Sequence, residues 1–134
     1  MEHHPAPQLA ILIGAPHQDQ VAMHHDLVAM YDALRRRGLS AEEILCLEGK
    51  LDHQLLRDFL AGIGRRIATW QQGVLFLYVT GHGFFTGEQA EEDRVGIELQ
   101  PAEQLSSEYH IFWDEMLSAL AVPAAVKLLL LPDH

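Results

Sequence analysis

The chain has 134 residues, which suits one domain and leaves little room for a second. Hydrophobic residues make up 49 % and charged residues 21 %, a balance that fills a core and excludes a disordered chain. Lys and Arg total 9 against 19 for Asp and Glu, and the net charge of −10 repels nucleic acid and anionic membrane.

The N-terminus lacks the basic region and apolar stretch of a signal peptide, and residues 1–8 read as a disordered tail before a domain over 9–134. Leu9 to Gly14 is a short apolar run ending in Gly-Ala-Pro, the pattern of a buried parallel strand. From Val21 to Leu34 apolar residues recur at helical spacing. Arg35, Arg36, Arg37 and Gly38 then mark the helix stop. Glu43 to Glu48 reads as a second strand. It contains the chain's single cysteine, Cys46, which is expected to be a small buried hydrophobe. One cysteine excludes an internal disulfide framework and points to a reducing, cytoplasmic compartment.

Asp52 can cap a second helix that carries Leu55, Leu56, Phe59, Leu60 and Ile63 and runs to about Trp70, weakened by Gly62 and Gly64. Val74 to Val79 is apolar on both faces, so it belongs at the centre of a sheet. Phe84 to Ser107 is polar and reads as a loop with a small edge strand or hairpin around Val95–Leu99. His110 to Leu120 reads as a third helix and Val126 to Leu131 as a fourth core strand. The longest apolar run, Ala124 to Leu131, is too short to span a bilayer. The order β-α-β-α-β-loop-α-β predicts an α/β fold, a mostly parallel sheet flanked by helices as a three-layer sandwich.

Two strand ends carry the candidate chemistry. Tyr78-Val-Thr-Gly-His-Gly83 runs a strand directly into Gly81-His82-Gly83, which puts an imidazole at the carboxyl edge of a central strand. Histidine titrates near neutral pH and can move a proton to or from a reacting group. The bland alternative is a histidine bonding backbone in a glycine turn. The second strand end is Val126-Lys-Leu-Leu-Leu-Leu-Pro-Asp-His134, which taken alone is a buried strand and a turn. In open α/β sheets ligands bind outside the carboxyl ends of strands, where both segments stop.

Together these segments resemble the caspase and metacaspase family, in which a strand leads into a Gly-His-Gly turn and a later strand ends in Asp-x-Cys or Gln-x-Cys. The resemblance covers essentially the whole chain. It implies a caspase-like fold, incomplete at its C-terminus, and a cysteine endopeptidase with a Cys–His dyad in which His82 is the general acid and base. Gly81 and Gly83 would form its turn and oxyanion region. The nucleophile would fall at position 135, which is 53 past His82 (135 − 82) and one beyond His134. No turnover is therefore expected of the chain as it stands. A trimmed gene, or a selenocysteine codon read as stop, would account for this.

By the same resemblance Asp133 implies cleavage after Arg or Lys, with Asp26 and Thr80 in the same pocket. The metacaspase pattern has Asn-Asp where this chain has His25-Asp26, and Asp26 has a plain alternative as a helix carboxylate. The expected partners are a protein substrate with basic residues and a continuation or partner chain over an open sheet edge, since an uncovered edge is aggregation-prone. No cofactor is expected. His24 and His25 are adjacent and diverge on a helix, and Glu88, Glu91, Glu92 and Asp93 read as a solvated loop rather than a calcium site. The competing readings are an inactive pseudo-protease or interaction domain on the same fold, and an unrelated α/β domain with a coincidental Gly-His-Gly.

Overall fold

The computed structural model describes residues 6–15, 20–86, 94–100 and 106–133. Residues 1–5 of the N-terminal tail and the acidic loop positions 88 and 91–93 lie outside the described residues.

Four parallel strands form the main sheet: β1 (Gln8–Gly14), β2 (Ile44–Glu48), β3 (Val74–Thr80) and a C-terminal strand, here β7 (Lys127–Asp133), in the order β2-β1-β3-β7. A second, antiparallel sheet of three short strands, β4 (His82–Thr86), β5 (Arg94–Glu98) and β6 (His110–Phe112), lies in the chain between β3 and β7. Three helices complete the described fold: α1 (Gln20–Arg36), α2 (His53–Ile67) and α3 (Trp113–Leu120). The fold is thus α/β, a parallel sheet with helices on both faces.

Strand parity explains the layers. Ala10 and Leu12 of β1 and Tyr78 of β3 pack with Leu27 and Leu34 of α1 on one face. Leu9, Ile11 and Ile13, with Leu75, Leu77 and Val79, pack on the other face against Leu56, Leu60, Ile63 and Ile67 of α2 and Met116 and Leu120 of α3. Burial of both faces is why these strands read as continuous apolar runs.

The helix ends follow local chemistry. Gly38 adopts φ 103° and its N–H bonds the Arg35 carbonyl at 3.1 Å, which stops α1. The Asp52 carboxylate accepts from the Leu55 N–H at 2.8 Å and caps α2. Gly64 costs helix propensity, yet a Cβ there would lie 2.5 Å from the Leu120 carbonyl oxygen, so its absence lets α2 and α3 approach closely.

Several expectations need correction. β1 begins at Gln8 rather than Leu9, and α2 ends at Ile67, short of Trp70. The hairpin expected in the polar segment is there as the antiparallel pair β4 and β5, but the third strand of that sheet takes His110–Phe112 from the expected helix, which starts only at Trp113. Cross-strand bonds to β5 override the helical spacing there. Cys46 is exposed rather than buried, because among the described strands β2 lies at the sheet edge with β1 as its only neighbour. The fourth strand is likewise an edge. Along β7 only Leu128 is half-buried and every other residue is exposed.

Candidate active site

The carboxyl ends of β3 and β7 meet because the two strands pair in parallel from Val74↔Lys127 to Thr80↔Asp133 without a break. The pairing reaches one step further: the Gly81 N–H donates to the Asp133 carbonyl at 3.3 Å. On the other side the Ala15 N–H donates to the Thr80 carbonyl at 3.0 Å. Thr80 is buried between these neighbours. A Cβ on Gly81 would sit 3.1 Å from Ile97 Cγ2 and 3.4 Å from the Ala15 carbonyl, so this turn is made by lack of space for a side chain. With its N–H engaged by Asp133, Gly81 acts as a turn residue and not as an open oxyanion donor. Gly83 lies within β4 opposite Ile97.

His82 is the first residue of β4, and its side chain is exposed. Its position at the seam of the two sheets follows from Gly81, the single bend between β3 and β4. His82 stands opposite Glu98, and Glu98 stands opposite His110, so the three share one face across β4, β5 and β6. The buried His110 ring lies edge-on to Phe84 at 4.9 Å. Its Nδ1 lies 3.0 Å from the Ser106 amide nitrogen and 3.1 Å from the Ser106 carbonyl oxygen, and its Nε2 lies 3.3 Å from Glu98 Oε2. His110 therefore anchors the carboxylate that neighbours His82.

Asp133 is exposed at the end of β7, and its Oδ2 accepts from the Tyr78 hydroxyl at 2.8 Å. Tyr78 is 6 % exposed. Burial raises its phenol well above the ordinary tyrosine range, and the Asp133 hydrogen bond, the Asp133 charge and the Asp26 charge add to that, while a Thr80 hydrogen bond opposes it. Asp26, exposed on α1, is thus close enough for its charge to act on the same phenol. Asp133, Asp26 and Thr80 converge on the Tyr78 hydroxyl, and His82 begins two residues after Thr80.

At the outer end of the same edge, His24 Nδ1 of α1 lies 2.7 and 2.9 Å from the two carboxylate oxygens of Glu48. Desolvation raises the Cys46 thiol and the Glu48 charge adds to this, which disfavours the thiolate a nucleophile needs. Cys46 also sits two strands away from β3.

Sequence reasoning missed Glu98, His110 and the role of Tyr78. The parity of Tyr78 with Phe76, on the face away from Leu75 and Leu77, was the one available signal. Glu98 and His110 needed a register between strands that local pattern does not encode. Among the described residues no group of three His, Cys, Asp or Glu could hold a metal ion, and no helix is long and apolar enough to cross a membrane. No known family model matches the chain, and no curated protein matches it.

Proposed function

We propose that the chain is the histidine-bearing part of a caspase-like cysteine endopeptidase that cleaves after Arg or Lys. The observation that carries this reading is the register Thr80↔Asp133, which sets the His82 turn beside the end of β7. In this reading a cysteine thiolate following β7, which is no residue of this sequence, attacks the scissile carbonyl carbon. The C–N bond breaks as His82 delivers a proton to the leaving amine. Water then hydrolyses the thioester while His82 takes its proton. Glu98, opposite His82 and held by His110, would orient the imidazole.

The pocket chemistry fits a basic side chain. Asp133 keeps one carboxylate oxygen on Tyr78, and its Oδ1 has no hydrogen-bond partner among the described residues. Asp26 adds a second negative charge near the same phenol. A pseudo-protease on the same fold is the second reading. It is favoured by Cys46, the single cysteine of the sequence, whose raised thiol and distant strand make it a poor partner for His82.

A cysteine appended at position 135 tests the proposal. An arginyl chloromethyl ketone should alkylate it at least ~10-fold faster than it alkylates Cys46, and His82→Ala should remove that advantage, since a paired histidine supplies the reactive thiolate. Equal rates at the two thiols, or no effect of His82→Ala, would overturn the dyad. An aspartyl chloromethyl ketone reacting as fast as the arginyl one would overturn the basic preference.

A further inference from the structure

The outer edge of β7 carries a pattern that pairs with itself. Leu129, Leu130 and Leu131 are 40 %, 39 % and 44 % exposed, and no strand lies beyond them among the described residues. The backbone phase along this edge is set by two bonds to the interior side: the Lys127 N–H donates to the Gly73 carbonyl and the Gly81 N–H to the Asp133 carbonyl. Residues 127, 129, 131 and 133 therefore turn their backbone groups inward to β3, and 128, 130 and 132 turn theirs outward. Outward donors are thus Leu128 and Leu130, while Pro132 offers a carbonyl alone.

We propose that β7 pairs antiparallel with β7 of a second copy of this chain, about a two-fold axis through Leu130. In this register the outward-facing Leu130 residues exchange both backbone bonds, and each Leu128 N–H meets the Pro132 carbonyl of the second copy. Residues pair when their numbers sum to 260, so Lys127 stands opposite Asp133 of the second copy (127 + 133). Leu129 stands opposite Leu131 on the same face. Among the described residues Lys127 has no ion-pair partner and Asp133 bonds the Tyr78 hydroxyl through Oδ2, so the two ends of the strand complement each other in charge. Direct opposition at a pair whose backbone groups face inward brings these side chains close. A cavity of about 340 Å³ between α1 and the sheet, lined by Met30, Leu34, Phe76 and Leu131, opens beside the strand where Leu129 of the second copy would arrive.

Lys127 and Pro132 are edge guards of the usual kind. Here they act as selectors. Sliding the strands by one residue turns inward-facing backbone toward outward-facing backbone, and sliding by two takes Lys127 off Asp133. The register centred on Leu130 keeps the charge pairs, and its cost is that each Leu128 carbonyl goes without a bond from Pro132, which has no N–H. A single strand edge buries far less than the ~1,200 Å² of a standard interface, so the dimer is weak and concentration-dependent.

Sedimentation of the full chain from ~1 µM to ~1 mM should show mass rising from 15.1 kDa toward twice that value and stopping there. Leu130→Lys, at a position already exposed in the monomer, should weaken association at least ~10-fold. Lys127→Asp should weaken it too, and Lys127→Asp with Asp133→Lys should restore it. A monomer across the whole range overturns the proposal. So does growth past the dimer, a dimer indifferent to Leu130→Lys, or a charge swap that fails to restore what Lys127→Asp removed. The mass reads association without any thiol or histidine, so it can fail while the dyad stands; the two readings meet at Asp133 alone, whose carboxylate cannot hold a basic substrate side chain and Lys127 of the second copy at once.

Discussion

β1 and β7 have nearly the same character on paper, Gln8-Leu-Ala-Ile-Leu-Ile-Gly14 against Lys127-Leu-Leu-Leu-Leu-Pro-Asp133, and opposite fates in the fold. From Leu9 to Gly14 every residue of β1 is buried, whereas β7 is exposed at every residue but Leu128. The difference is place in the sheet. β1 has a strand on each side and helices on both faces, while among the described strands β7 has β3 alone. An apolar string tells that a strand wants burial, and only topology tells whether it obtains it. The polar ends of the two strands diverge as well: β1 finishes in the buried Gly14, β7 in a carboxylate that belongs to the candidate site.

The largest test of this contrast is a pair of alanine substitutions. Ile11→Ala, at a wholly buried position, should cost about 2–5 kcal/mol in chemical denaturation. Leu130→Ala, already 39 % exposed, should cost less than about 1 kcal/mol when measured well below the concentration of self-association. Equal losses would mean that β7 is as enclosed as β1 and would remove the open edge from the fold.

A smaller effect is expected at the side-chain hydrogen bond that ties β7 to the buried Tyr78. Tyr78→Phe keeps the ring in its buried slot and deletes the hydrogen bond to Asp133. It should cost about 1 kcal/mol and speed amide exchange at the Asp133 end of β7 more than at the Lys127 end. Uniform exchange along the strand would show that the backbone ladder alone holds it.

Much of the frame was legible in the chain. β1, β3, α1 and the Asp52 cap followed from run length, helical spacing and one capping side chain, all of which act within a few residues. What escaped was set by partners distant in sequence. His110-Ile-Phe112 sits directly before helical spacing and reads as its start, yet its bonds go to β5. Leu45-Cys-Leu47 reads as core, yet β2 has one neighbour, and Cys46 lies exposed. In the site, His82 and Asp133 stood out by motif, because glycine flanks and a strand end are local signals. Their arrangement did not: Tyr78 and Asp133 are separated by 55 residues and meet only through the β3–β7 register. The row His82, Glu98, His110 depends on two further registers.

The smallest effect sharpens the comparison from the side of pH. Tyr78 loses its proton with more difficulty in the folded chain than in the unfolded one, first because it is buried and then because Asp133 and Asp26 are negative beside it. The folded phenol thus holds a proton at pH values where the unfolded phenol, near its ordinary value of about 10, has released it. Stability from this group is complete below pH ~10 and declines as pH rises above it, because the unfolded state then binds fewer protons. Absorbance of phenolate on alkaline titration should therefore show one tyrosine that ionises last and only as the fold is lost. Asp133→Asn removes both the charge and the strong acceptor at the end of β7, so it should move that step to lower pH. Asp26→Asn should move it less, since Asp26 acts on the phenol through charge alone. Equal shifts from the two variants would make the contact with β7 no more important to Tyr78 than a neighbouring charge on α1, and would loosen the tie that joins the candidate site to the open strand.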